Sequence, residues 1–440
     1  MTAVLHGFPS ERWIHLLSES AQRSSVLHDQ FLHQRQSSLA GMKTLLELQL
    51  RTQAGSRPLA APVNRPALIN SAQLDAFGTG RISDCLGPAF AVYDQRRIPR
   101  IPNGDLKMMS RIVSIDAQAH RFSQPAEIVA EYDVPVDAWY LPDPAVDEIP
   151  CALFMEIALQ PCGFLSAYLD TYALIPNGEF YFRNLDGAIQ FQTAMPLAGQ
   201  TIVTRARMIS SVVSSGTVIQ KFSFRLSCQD QLLLEGESVF GYFPGNTMAN
   251  QMGLDGGKQV APWRRPSTET LNGWVNLPAL QTAAPDRPRY CLPAGRLNLL
   301  ERAYLEKQGG RYGKGYVYAS RLNNPQDWYY PYHFYQDPVM PGSLGVEAML
   351  QAMQIYALST EVGAGLPSPR FVTPIGPAPI SWRYRGQVTQ QNKLFELEVH
   401  ISDQQADSQG ITLLGEASVW IDGLRIYDAR NAAIRILAGG

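Results

Sequence analysis

An excess of charge of either sign is missing from this chain. Its 440 residues carry 37 lysines and arginines against 39 aspartates and glutamates, a formal net charge of −2. That balance offers no electrostatic case for nucleic acid or for an anionic membrane surface. Cysteine is also sparse: Cys85, Cys151, Cys162, Cys228 and Cys291 are odd in number and lack CxxC spacing. Neither a disulfide framework nor a zinc site is expected from them, and a reducing, cytoplasmic setting is expected. No uncharged run of membrane-spanning length occurs, because the longest apolar stretches carry Glu156 and Glu347 near their starts. Glu11 and Arg12 break the only early apolar run, so no signal peptide is expected. Histidine is limited to seven residues. His6, His15, His28 and His33 fall in the N-terminal segment, His120 in a turn-like stretch and His400 near a strand end. None has the i, i+4 spacing and partner set of a metal site, and no metal ligand is assigned.

What remains is a globular composition, 45% hydrophobic and 17% charged, on a chain too long for one ordinary core. Residues 10–53 read as an amphipathic helix, with Leu32, Leu39 and Leu46 spaced by seven; it packs on its own domain or docks against a partner. Prolines at 58, 62 and 66 then mark a linker. Residues 105–115 and 126–134 are strand-like, 150–174 is a nearly continuous apolar helix signal, and 180–193, 200–213, 216–228 and 231–243 are strand-length runs. Residues 244–288 are rich in Gly, Pro and polar side chains. The order then returns: strands near 297–304 and 313–321, a helix over 342–360, and strands near 370–374, 378–385, 392–402 and 411–422.

The return is visible residue by residue. With Pro150 set on Pro341, Glu156 falls on Glu347, Leu159 on Leu350 and Gln160 on Gln351. Upstream, Trp139-Tyr140 matches Trp328-Tyr329, and Asp105-Leu106 matches Arg296-Leu297. Downstream, the stretch from Gly236 to Phe240 resembles that from Gly415 to Trp420. A period of this length describes a duplicated domain whose halves mimic a homodimer. Each half holds one helix apolar almost all round, which must be buried, and antiparallel strands are its only plentiful cover. The expected fold class is therefore α+β, a double hot-dog. Its parts are an N-terminal helical segment and linker (1–66), a first hot-dog (67–250), a linker (251–288) and a second hot-dog (289–440).

Glu156 and Glu347 are the lone charges on their helices. A carboxylate among apolar neighbours is costly to ionise, so its pKa is expected to rise, as a general acid requires. A helix-start glutamate is also a common structural feature, favoured by the helix dipole. His333 ends the aromatic run from Trp328 and precedes a loop held by Pro338 and Pro341, which leads to Gly342 at a helix start. A free N–H there can hold an oxyanion. A base, an oxyanion donor and a buried acid together suit elimination of water beside a thioester.

The run from His333 to Gly345, His-Phe-Tyr-Gln-Asp-Pro-Val-Met-Pro-Gly-Ser-Leu-Gly, resembles the signature of bacterial 3-hydroxyacyl-ACP dehydratase/isomerases. Those enzymes place Asp where this chain has Glu347; sister dehydratases without isomerase activity place Glu there, at the same spacing, 347 − 333 = 14. Dehydration is thus better supported than isomerisation. The stretches from Met155 to Gly163 and from Ile101 to Leu106 are similar to dehydratase regions of polyunsaturated fatty acid synthases and related iterative polyketide-type synthases. The resemblances cover most of residues 85–425. They imply a 3-hydroxyacyl-[acyl-carrier-protein] dehydratase without cofactor. Its substrate would ride on the phosphopantetheine arm of an acyl carrier protein, beside other synthase domains, with the double hot-dogs able to dimerise. In that family His and acid come from opposite hot-dogs, which pairs His333 with Glu156 and leaves Glu347 as the alternative acid. Glu347 would face the position near Tyr140–Ala145, where the first half has no histidine. Gly342 would meet the thioester carbonyl, supported by Pro341, Gln160 and Gln351. A hot-dog thioesterase and a non-catalytic acyl-binding domain remain competing readings.

Overall fold

The chain divides into two units, Met1–Ala60 and Ala61–Gly440. The computed structural model describes residues 66–439 except 142–148, 176–178, 215, 268–271, 286 and 376–377. The helix expected over 10–53 and most of the linker after it lie outside the described residues.

The first half runs β1 (Arg111–Asp116), β2 (Ala126–Asp133), α1 (Cys151–Tyr168), β3 (Phe180–Phe191), β4 (Thr201–Ser214), β5 (Thr217–Cys228) and β6 (Gln231–Pro244). The second runs β7 (Arg302–Glu306), β8 (Tyr316–Leu322), α2 (Gly342–Ser359), a three-residue β9 (Arg370–Val372), β10 (Ile380–Tyr384), β11 (Leu394–Ala406), β12 (Gly410–Ile421) and β13 (Leu424–Leu437). One sheet joins them in the order β1-β2-β4-β5-β6-β3-β10-β13-β12-β11-β8-β7, with β9 on β13. Read outward from its middle, each half has the same sequence of places, so the molecule is a double hot-dog with a pseudo-twofold axis at the antiparallel β3–β10 seam. There Trp382 faces Gly187 across the seam and its indole N–H reaches Asn184 Oδ1 at 2.7 Å.

Both central helices are buried on nearly every side, against their own sheet and against each other. α1 has the length and apolar composition of a membrane span, yet 83% of it is buried inside the protein. Apolar residues all round a helix follow from this sandwiching. Pro161 sits within α1 and cannot donate to the Ile157 carbonyl one turn back. Thr204 of β4 supplies that bond through its hydroxyl, at 3.2 Å.

The repeat shows in matched contacts. Trp139 donates to the Asp105 carbonyl at 3.1 Å and Trp328 to the Arg296 carbonyl at 3.0 Å. The two indoles meet edge to face, 4.8 Å apart. Asp105 and Arg296, which correspond in the repeat, form an ion pair at 2.5 Å.

Three expectations are corrected. The strand expected over 105–115 begins at Arg111, after a single 3-10 turn at Gly104–Leu106, and that expected near 297–304 begins at Arg302. β13 was absent from the strands expected, because its alternation breaks at Arg430–Asn431, where Asn431 takes φ 52° and bulges the strand against β12. Missing it shifted the downstream alignment by one place. The stretch from Gly236 to Phe240 lies in β6, whose counterpart beside the seam is β13, whereas Gly415 to Trp420 lies in β12.

The described residues between 251 and 267 run along the second half's strands. The Trp263 N–H meets Glu398, Arg265 forms a bidentate pair with Glu396, and Asp255 pairs with Arg425. The five cysteines are all buried.

Candidate active site

The loop between β8 and α2 is held from both halves. His333 N–H donates to the Tyr329 carbonyl at 3.0 Å, and Phe334 and Asp337 exchange backbone bonds around a tight turn in which Gln336 has φ 62°. Arg183, on β3 of the first half, clamps Asp337 with two bonds of 2.6 and 2.8 Å. Arg97 donates to the Gln336 carbonyl at 3.0 Å, and Asn103 of the Ile-Pro-Asn-Gly stretch donates its backbone N–H to the Tyr332 carbonyl at 2.9 Å. The histidine loop of one hot-dog is thus fastened by the other.

His333 is 8% exposed, and its Nδ1 lies 3.0 Å from the Val339 carbonyl. A carbonyl can only accept, so Nδ1 carries the proton and Nε2 keeps a free lone pair. Burial pushes the imidazole pKa below its ordinary 6.5; Glu156 and the Val339 carbonyl pull the other way, and Arg183 adds to the lowering. The ring is therefore neutral near pH 7, as a general base should be.

Glu156 lines the same cavity. Its Oε1 accepts from Ser343 Oγ at 2.6 Å and its Oε2 from Gln160 Nε2 at 3.0 Å. Gln160 is held in turn by the Leu106 carbonyl and the Met108 N–H, both at 2.8 Å. The cavity encloses about 880 Å³ including its open mouth. It runs along the face of α1 formed by Glu156, Leu159, Gln160 and Gly163, towards Phe182, Phe240 and Tyr242. Spacings of three and four residues put these side chains on one helix face. Gly342 and Ser343 border it from α2. A Cβ on Gly342 would stand 2.6 Å from Tyr384 Cε2, so only glycine fits against that ring.

Glu347 lines a different cavity, with Pro150, Cys151, Leu297 and Phe371. Its Oε2 accepts from the Ala152 N–H at 3.0 Å, and burial raises its pKa against that bond. Gln351 repeats the clamp of Gln160 on the matching backbone, donating to the Leu297 carbonyl at 2.6 Å and accepting from the Leu299 N–H at 3.3 Å. The repeat also substitutes: Cys151 stands where the other cavity has Gly342, and Ala152 where it has Ser343. Pro341 caps α2 and abuts the His333 loop.

The structure therefore gathers His333, Glu156, Gly342 and Gln160 in one cavity and sets Glu347 and Gln351 apart. Among the described residues no group of three or more His, Cys, Asp or Glu could hold a metal ion. Sequence reasoning missed Ser343, Arg183 and Tyr384. Ser343 lies inside the His333–Gly345 motif, but its partner is on the other half's helix. Tyr384 is an inward position of a short alternating strand, like Ile380 and Trp382, and nothing local marks it. Its hydroxyl is buried without a hydrogen-bond partner among the described residues, a state that costs about 1–3 kcal/mol.

Residues 292–430, in the hot-dog that carries His333, match the FabA-like domain family. The chain is 32% identical over 385 residues to a polyunsaturated fatty acid synthase subunit from Thraustochytrium sp., covering 82% of this chain. The chain spans about a quarter, 26%, of that relative's length. Solved structures with similarity include the dehydratase domain of RzxB from Pseudomonas fluorescens (10% identity, 76% of this chain and 99% of that one, TM-score 0.40). Another is the 12:0-ACP thioesterase from Umbellularia californica (7% identity, 70% and 93%, TM-score 0.35).

Proposed function

We propose that this chain is a dehydratase that removes water from 3-hydroxyacyl thioesters and yields trans-2-enoyl thioesters. His333 Nε2 takes a proton from C2. Charge gathers on the thioester oxygen, which the Gly342 N–H at the start of α2 receives. Glu156 gives a proton to the C3 hydroxyl as it leaves. Gln160 and Ser343 hold the carboxyl in place. The steps call on no metal and no redox cofactor.

The single observation that supports this reading best is the pairing across the halves: a neutral histidine, with its proton on Nδ1, shares a cavity with Glu156. The similarity to part of a polyunsaturated fatty acid synthase supports an acyl carrier protein as the carrier and other synthase domains as neighbours, in a cytoplasmic assembly. A pantetheine arm suits a long cavity with apolar walls. The same proposal extends to a homodimer of double hot-dogs.

The deciding experiment is mass spectrometry of 3-hydroxyacyl-ACP incubated with the wild type and with His333→Ala. The wild type is expected to form enoyl-ACP, and the variant to lose roughly 10²- to 10⁴-fold in rate. Unchanged turnover in His333→Ala would overturn the assignment. Release of free acid would indicate thioester hydrolysis instead, and tight binding without conversion an acyl-binding role.

A further inference from the structure

Among the described residues lining this cavity, two buried polar side-chain atoms lack a hydrogen-bond partner, Arg100 Nε and the Tyr384 hydroxyl, and of these the hydroxyl is in the field of Glu156. Tyr384, on β10, lines the cavity with Glu156, His333 and Gly342. It is 5% exposed, and its hydroxyl has no partner among the described residues. The ring is fixed on two sides. Gly342 lies against its Cε2 edge, and Tyr427, its cross-strand neighbour on β13, stands 4.5 Å away between centroids. Such a ring cannot swing its hydroxyl away to find another acceptor. Burial, then Tyr427, Glu156 and Cys151, push the phenol pKa well above its ordinary value, so it stays protonated. A fixed, protonated donor without an acceptor, in the field of Glu156, is arranged for a ligand oxygen.

We propose that the Tyr384 hydroxyl is a further catalytic group, donating a hydrogen bond to the 3-oxygen of the substrate as that oxygen departs. The proposal rests on the dehydratase reading above. In the step itself the C2–H bond breaks towards His333 Nε2, and its electron pair becomes the C2–C3 double bond. The C3–O bond breaks, and the oxygen takes the Glu156 proton and leaves as water. Tyr384 keeps its own proton throughout; its bond shortens as charge builds on the leaving oxygen. His333 and Glu156 regain their starting protonation by exchange with solvent. The thioester oxygen already has the Gly342 N–H, so the two donors serve the two ends of the eliminated unit.

Tyr384→Phe removes the hydroxyl and keeps the ring on Gly342 and Tyr427. Two measurements are made on the full chain: turnover of 3-hydroxyacyl-ACP, and affinity for two inert acyl-pantetheine amides, one with a 3-hydroxyl and one without. The wild type is expected to prefer the hydroxylated amide. Tyr384→Phe is expected to lose that preference and roughly 100-fold in kcat, with an unchanged or higher Tm because the lost hydroxyl had no partner. Equal kcat and an intact preference in the variant would overturn the proposal. So would a wild type with no preference for the hydroxyl, whether or not it dehydrates. If the wild type forms no enoyl product but only the variant loses the preference, the dehydratase reading falls and the Tyr384 contact to a 3-hydroxyl stands.

Discussion

Ser343, in the first turn of α2, donates its hydroxyl to Glu156 on α1 at 2.6 Å. The acid of one hot-dog is thereby anchored to the helix that follows the histidine loop of the other. The matching bond in the second cavity comes from a backbone group, Ala152 N–H to Glu347. The two cavities are thus alike in outline and different in chemistry.

The first prediction separates the acids. Glu156→Gln is expected to lower dehydration by about 10²- to 10⁴-fold, while Glu347→Gln stays near the wild type. Stability moves differently. The folded-state pKa of Glu347 is raised by burial, so the native state binds its proton more tightly than the unfolded chain. Stability then falls as pH rises from the ordinary glutamate value through the raised one. Glu347→Gln removes that loss, and its Tm at neutral pH is expected to equal or exceed the wild type's. Turnover assays and thermal melts of both variants check this; the reverse order of activities would assign the acid to Glu347.

His333 sets the acidic limb of the pH profile. Its pKa lies below 6.5, and only the neutral ring can take a proton. kcat/KM is therefore expected to stay level near pH 7 and to fall only as pH drops through the lowered value. In Arg183→Leu one lowering influence is gone, and Asp337, which raises the pKa, loses its closest partner and keeps only Arg97 at 3.6 Å. The limb should shift to higher pH, with a rise in KM from a loosened loop. Rate–pH profiles of the two proteins test this; a limb above 6.5 in the wild type contradicts it.

Gly342→Ala should damage the site without touching a reacting group. The added methyl would stand 2.6 Å from Tyr384 Cε2, and that ring is pinned by Tyr427. Overpacking of this kind costs about 1–3 kcal/mol. A lowered Tm together with a loss of kcat greater than the rise in KM is the expected outcome, measured by calorimetry and steady-state kinetics.

The duplication, the two all-round apolar helices and the two glutamates could be read along the chain, because burial on every side imposes its composition locally. The match of Gln160 to Gln351 survived into equivalent backbone clamps. β13 could not be read, since a bulge at Asn431 breaks the alternation on which strand recognition depends. The role of Thr204 beneath Pro161 was equally hidden, because the two are far apart in sequence.

What the sequence by itself determined was the stock of groups: one histidine ahead of a helix start, one carboxylate per helix, and a glycine where the second helix begins. Which carboxylate shares the cavity of His333 was decided by the antiparallel β3–β10 seam, which lays the two helices together and crosses their ends. Tyr384 became part of the site the same way, by strand pairing with Tyr427 and contact with Gly342. Side chains remote in sequence become neighbours only when the sheet closes around both helices, and local pattern holds no record of that distance.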